Sequence, residues 1–428
     1  ATIVAIRPWP NFSEPLLSIH EGRIERWSGK AFADFGHIDL SALSPYLDPQ
    51  SWQLQQGRGA IRAWLELRQG QPVGLLADVS IDALQVQWRD RDKPLHLQSL
   101  QGRFDIQHRQ DYRLAVQGLS FTTGDGMQWP KGDIKASYSP TGTREQGRLG
   151  EHGQVQVDGV DIGIATQLLL RLPLPESAHG QLAALAPQGL LRQARWSWRG
   201  PVDAPVTYKA QGRVENLRLQ AQPSHEGPDV LGIPGVQGLS ASFELDQDSG
   251  QAQLEKSAAS QALVLSLPGM FELPDVGFDQ FRSQLRWQIK GQAIQAQMPD
   301  LQFANADAQG KAQVAWHTGE GSDKRPRFPG VLELKGQLAR GSAASVHRYL
   351  PLGIPADARQ YVRQAVKSGQ ASQVNFKLKG YLEEFPFEKP GQGEFQITAQ
   401  LHDVDYDYVP AYLLDPGQQP WPPLHRLS

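Results

Sequence analysis

Leu285-Arg286-Trp287-Gln288-Ile289 decides the fold class of this chain, because its apolar residues recur at every second position. Successive side chains on a β-strand point to opposite faces, so such a stretch makes one apolar face and one polar face. Leu84-Gln85-Val86-Gln87-Trp88 and Phe395-Gln396-Ile397-Thr398-Ala399 repeat the pattern. Working outward, the same reading predicts strands at 61–67, 73–79, 112–117, 154–157, 194–198, 214–219, 239–245, 263–267, 294–298, 313–316, 331–338, 373–378 and 394–401. Turn formers stand between them: Gly124-Asp125-Gly126, Asp248-Ser249-Gly250, Gly319-Glu320-Gly321, and the single glycines Gly102, Gly118, Gly291 and Gly336. Short strands so closely spaced predict antiparallel neighbours, since parallel pairs need long crossovers.

Helical spacing is rare. It occurs at 164–172, at 177–185, and at 342–367, where Pro351 and Pro355 break the pattern and Gly369 stands as a stop. A coarse repeat joins a helical or turn-rich piece to a glycine and then a strand: 39–46 with Gly59, 177–186 with Gly189, and 357–367 with Gly369. Helical pieces as module boundaries predict segments at 1–160, 161–340 and 341–428.

Forty-two Lys plus Arg against 45 Asp plus Glu leave a net charge of −3, so no basic field favours nucleic acid. There are no cysteines, which excludes a disulfide framework and thiolate metal sites. No run of about eighteen apolar residues occurs, and the first residues lack the pattern of a secretory leader. Both ends fall in the middle of a pattern, and the expectation is an internal piece of a longer protein.

Catalytic signatures are missing. The eleven histidines form no H-E-x-x-H, and no G-x-S-x-G elbow or phosphate-binding G-x-x-x-x-G-K-[ST] loop is present, so neither a catalytic residue, a metal site nor a cofactor is expected. Asp403, Asp405 and Asp407 alternate in a way that could offer oxygens to a hard cation. No glycine turn or downstream Glu completes a calcium loop, and they read instead as the solvent face of a strand backed by Val404, Tyr406 and Tyr408. Lys324-Arg325-Pro326-Arg327 reads as a solvated hairpin loop, with a patch for anionic headgroups as the alternative. Trp88, Trp196, Trp198, Trp287 and Trp316 fall on strands, mostly in step with aliphatic neighbours. Singly each reads as core. Together, with few helices and little sign of a second sheet to cover them, they point to an open, curved sheet bearing a long apolar concavity.

The segment from Ser342 to Tyr412 carries a further pattern. R-Y-L-P (Arg348 to Pro351) precedes A-V-K-S-G (Ala365 to Gly369), V-N-F-K-L-K-G (Val374 to Gly380), E-F-P-F (Glu384 to Phe387), G-E-F-Q-I (Gly393 to Ile397), D-Y (Asp407-Tyr408) and W-P (Trp421-Pro422). Upstream stand G-R-G-A-I-R-A-W-L-E-L from Gly57, L-A-P-Q-G-L-L from Leu185, P-G-V-Q-G-L-S from Pro234 and P-G-M-F-E-L-P from Pro268. In order and spacing these resemble the YhdP branch of the AsmA-like superfamily, large envelope proteins of Gram-negative bacteria. The resemblance covers most of the chain. It implies a mainly β fold: a long, twisted, mostly antiparallel sheet curled into an elongated open groove, with short helices at module boundaries. It also implies an inner-membrane anchor outside this chain, a periplasmic location and traffic of phospholipid toward the outer membrane.

On that basis acyl chains are expected to lie against Leu65, Val86, Trp88, Leu114, Val116, Trp196, Leu265, Trp287, Ile289, Met298, Trp316, Phe376, Leu378 and Ile397. Expected partners are phospholipid, the inner and outer membranes through parts outside this chain, and envelope proteins at its ends. An envelope scaffold or assembly factor acting by strand addition is the competing expectation. Which parity faces inward at 61–67, where Trp64 opposes Leu65, stays open.

Overall fold

A computed structural model of the chain describes residues 2–6, 28–41, 52–88, 94–140, 150–170, 176–228, 230–322, 325–387, 389–415, 417–419 and 421–427. The chain divides into two compact units, 1–183 with 190–213 and 184–189 with 214–428.

The first unit is a meander. Its strands are β1 (Thr2–Ile6), β2 (Gly29–Asp39), β3 (Trp52–Arg68), β4 (Gln71–Trp88), β5 (Leu95–His108), β6 (Tyr112–Thr123), β7 (Gln128–Ser139), β8 (His152–Asp161) and β9 (Gln188–Arg199). Each pairs antiparallel with the next in sequence, and the first and last do not pair with each other. The β3–β4 hairpin turns on Gln69 and Gly70, both at positive φ, the two-residue geometry that matches strand twist. The two stretches read as separate strands at 73–79 and 84–88 are one strand, β4. Ala83, at φ 56°, marks a local irregularity between them, where the alternation changes phase. Helix α1 (Ile162–Leu169) starts where the Asp161 carboxylate accepts the Ile164 N–H at 3.0 Å, and α2 (Glu176–Leu185) follows. Of the helical or turn-rich piece expected at 39–46, residues beyond Ser41 lie outside the described ones.

The boundary between the units falls inside β10 (Thr207–Leu219). The second unit holds β11 (Gly235–Asp246), β12 (Ser249–Lys256), β13 (Leu263–Ser266), β14 (Asp275–Phe278), β15 (Gln280–Lys290), β16 (Ala293–Ala304), β17 (Ala308–His317), β18 (Val331–Ser342), β19 (Val366–Tyr381), β20 (Gly393–Tyr406) and β21 (Leu424–Leu427). It too is an antiparallel meander. β12 and β13 lie end to end beside β11, and β15 and β14 lie end to end beside them. From β15 to β21 every strand pairs with the next, and β21 does not return to β11. Each unit is therefore mainly antiparallel β, open rather than closed into a barrel, with few and short helices.

Three glycines expected at turns sit inside strands instead. Gly102 lies in β5, Gly118 in β6 at φ +60°, and Gly336 in β18. Gly369 is likewise no helix stop. Helix α3 (Ala356–Ala365) ends four residues earlier, and Gly369 lies within β19 at φ +121°, where the register against β20 shifts. A Cβ there would come 2.5 Å from a Val404 methyl, so only glycine admits that side chain.

Between β18 and β19 the chain leaves the sheet for a 3-10 turn at Val346–Tyr349 and then α3. Asp307, at the β16–β17 turn, holds this excursion by accepting from Ser345 Oγ (2.9 Å), Arg348 (2.7 Å) and the Tyr349 hydroxyl (2.9 Å). The Leu352 N–H donates to the Met270 carbonyl at 2.9 Å, joining it to the 267–274 loop. At one end Gly353 abuts the ring of Phe385, which packs edge-on against Phe395 of β20 with centroids 5.4 Å apart. At the other the Tyr361 hydroxyl meets that of Tyr406, near the far end of β20, at 2.7 Å. The excursion thus touches β20 near both of its ends, through Phe385 at Phe395 on the apolar side and through Tyr361 at Tyr406.

Candidate functional site

Cross-strand partners share a face, so the pairing register shows which residues gather. In the first unit one row runs Ala31, Leu65, Leu75, Ile106, Leu114, Ala136, Val155, Trp196 across β2 to β9. The next row on that face runs Ala33, Ala63, Ala77, Phe104, Val116, Ile134, Val157, Ala194. Neither contains a polar residue. The open question at 61–67 is thereby decided: Leu65 belongs to the continuous row, while Trp64 faces the other way and packs on Phe32 with ring centroids 5.2 Å apart.

Beside the Phe32, Trp64 and Leu76 row, the opposite face is polar and ion-paired. Asp34, Arg62, Asp78 and Arg103 alternate across β2 to β5, with Arg62 3.0 Å from Asp34 and Arg103 2.6 Å from Asp78. The hydrogen bond from Arg103 holds the Asp78 carboxyl below its ordinary range. This face also carries an open hollow of about 450 Å³, lined among others by Gln107, Arg113, Ser137 and Gln154. Those four are register partners in a polar row, so the hollow belongs to the hydrophilic side.

The second unit repeats the arrangement. Met298, Val314, Leu334, Leu378 and Phe395 form one row, and Leu301, Ala312, Gly336, Phe376 and Ile397 the next. A third runs Gly250, Trp287, Ala296, Trp316, Leu332 and Gly380. On the other face Glu333 binds Lys335 (2.5 Å) and Lys379 (3.5 Å), and Lys377 binds Glu394 (2.5 Å).

The structure places the expected lining residues as follows. Leu65, Leu114, Val116 and Trp196 lie in the two rows of the first unit, and Val86 pairs with Leu54 and Leu95. Trp88 ends β4 opposite Trp52, and its side chain lies outside the described residues. Trp287, Met298, Trp316, Phe376, Leu378 and Ile397 lie in the three rows of the second unit. Ile289 pairs with Ile294, and Leu265 stands between Val236 and Val276. Leu75, Phe104, Ile106, Leu334 and Phe395 join them and were not singled out from the sequence. Their signal is the register, which links residues far apart in the chain.

These faces are only partly covered. Val116 is 4% exposed, yet Ile106 in the neighbouring row is 42% exposed and Ile397 is 50% exposed. Most other members are half-buried, where the core of a two-layer sandwich would be closed. At β20 every residue from 393 to 403 is exposed, and no described strand pairs with its outer edge there.

Polar clusters elsewhere serve structure. Asp405 accepts from Ser368 Oγ (2.9 Å), lies 3.0 Å from His425 Nδ1, and so clasps β21 onto β20; the Ser368 bond and then His425 hold its carboxyl below the ordinary range. Val404, Tyr406 and Tyr408 are buried or half-buried. Among the described residues no group of three His, Asp or Glu is placed to hold a metal ion. In the basic loop, Lys324 lies outside the described residues, Arg325 pairs with Glu320 at 3.1 Å, and Arg327 donates to the Gln292 carbonyl. Among the described residues no helix is long and apolar enough to cross a membrane.

A sequence profile of the family described as YhdP protein matches residues 6–428. No curated protein and no solved structure matches the chain.

Proposed function

The chain belongs to the YhdP family, and from that premise we propose that it is a periplasmic section of an inner-membrane-anchored protein that carries phospholipid along an apolar β-groove. Membership of the family suggests an envelope role in lipid transport. The phospholipid cargo, the two membranes at its ends and the groove as the path are this proposal. One observation carries it: in each unit, unbroken apolar rows cross strand after strand and stay half-covered by protein. Water against such a face is unfavourable, and each methylene buried there is worth about 0.8 kcal/mol. A row of similar side chains keeps that energy nearly level from strand to strand, so a chain held on it can slide. Headgroups would remain at the wet rim. The protein then acts by passive conduction, supports outer-membrane lipid balance, and needs neither catalytic group nor cofactor.

The test is to place arginine singly at Leu114, Trp287 and Phe376 and to measure by mass spectrometry the phospholipid retained by the gently purified chain. Retention should fall while circular dichroism stays that of the parent. Undiminished retention in all three sinks the proposal.

A second reading has its own observation, the unpaired edge at 393–403, where Phe395, Ile397 and Leu401 stand exposed. Such an edge can accept a strand from another protein. If assembly by strand addition were the function, proline at Thr398 would abolish it and the inward arginines would not.

A further inference from the structure

The excursion between β18 and β19 contains a group that the fold leaves unsatisfied. Arg359, within α3, has a side chain only 12% exposed, and neither its Nε nor its Nη1 has a hydrogen-bond partner. Glu272, on the 267–274 loop, is the one described carboxylate within 4 Å, and its Oε1 stands 3.9 Å from Nε, beyond hydrogen-bond reach. The other oxygen of Glu272 is taken by Arg363, one helical turn further along the same face of α3. Two guanidinium groups therefore share one carboxylate, and the site keeps about one positive charge. A buried guanidinium with orphaned N–H groups is costly, and an anion on the parallel pair Nε and Nη2 relieves the Nε share of that cost.

We infer that Arg359 and Arg363 form a binding site for a phosphate-ester anion, carried on a lipid whose chains lie on the apolar rows beside α3. The inference rests on the groove reading and adds to it a point where the headgroup is held. The chemistry favours phosphate: a guanidinium presents parallel N–H donors that match two phosphate oxygens, and two guanidiniums one turn apart can share the group. The apolar side beneath supplies the rest, since the Gly353 end of the excursion touches Phe385, which packs on Phe395 beside Leu378. Nε and Nη1 are shut from solvent, whereas Arg363 is half exposed, so the phosphate approaches from the Arg363 side and competes with Glu272 for the two guanidiniums. That loop is tied to the excursion by Met270 through Leu352 and by Phe271 against Tyr349.

The experiment compares retention of two fluorescent lipids from vesicles, phosphatidylglycerol and the phosphate-free diacylglycerol with the same chains. It uses the whole chain and its Arg359→Gln and Glu272→Gln variants, with inorganic phosphate as a separate probe by calorimetry. Arg359→Gln should lower phosphatidylglycerol retention at least tenfold and leave diacylglycerol unchanged, while Glu272→Gln should raise phosphatidylglycerol retention severalfold. Equal loss of both lipids in Arg359→Gln, or loss of neither, overturns the site. Inorganic phosphate binding that Arg359→Gln abolishes, without discrimination between the lipids, assigns the pair to free phosphate and overturns the lipid form. If the unaltered chain retains diacylglycerol, the groove reading stands whatever becomes of the arginines; if it retains neither lipid, that reading fails and the site with it.

Discussion

The ring of Phe376 covers Gly336 on the neighbouring strand, so closely that a Cβ at Gly336 would lie 2.1 Å from the ring's Cζ. The two are direct register partners in an apolar row, and Trp287 over Gly250 repeats the relationship with 2.1 Å to its indole. A glycine beneath a ring lets the aromatic lie down along the sheet instead of standing on it. This keeps the row low and continuous while still covering backbone.

Gly336→Val should therefore destabilise the second unit by about 2 kcal/mol, because ring and side chain cannot both keep their places. Phe376→Ala in the same chain should recover part of that loss. The check is a double-mutant cycle by urea denaturation, and additive effects would show that ring and glycine do not compete.

Position within the rows should set the cost of truncation. Val116→Ala, at a buried site, should cost about 2 kcal/mol, whereas Ile397→Ala, at an exposed one, should stay within about 0.5 kcal/mol. Thermal melts of the two variants decide it; equal losses would mean that something covers Ile397 in solution.

Tyr406 should titrate late. The Tyr361 hydroxyl hydrogen-bonded to it, together with burial, pushes its phenol up to about 12. A raised value in the folded state means that the contribution is present below the ordinary value of 10 and is lost as pH rises through 12. Ring-carbon NMR of labelled tyrosine should show Tyr406 still protonated at pH 11, and Tyr361→Phe should bring its titration back toward 10.

The Asp405 clasp has the opposite sign. Its carboxyl is depressed, so its hold on β21 is complete above the ordinary value of 3.8 and is lost as pH falls through the lowered one. Hydrogen exchange at Leu424–Leu427 should quicken in strong acid, and Asp405→Asn should give similarly fast exchange at neutral pH.

Much of the fold is legible in the amino-acid sequence itself. Alternation at 285–289 and its repeats predicts strands, close turn signals predict antiparallel pairing, and the residues singled out at Leu65, Trp287 and Phe376 fall in apolar rows. Local physics suffices for this, because a strand's two faces follow from the direction of consecutive side chains. The turn reading erred at Gly336 and Gly369 for a reason equally local: glycine marks a turn and a close approach with the same letter, and what approaches comes from another strand.

Three things waited for the tertiary structure. Leu65 rather than Trp64 faces the rows, because a strand apolar on both sides takes its orientation from its partners' register. Ile106 and Leu334 join the rows because residues distant in sequence become neighbours only by pairing. Arg359 is short of a partner because α3 and the 267–274 loop, ordinary stretches when read alone, bring two cations to one carboxylate. Period-two alternation settles how each strand divides itself into two faces. Only the long-range pairing settles which faces join, how far they run and where a charge is left over, since those depend on contacts that no local pattern encodes.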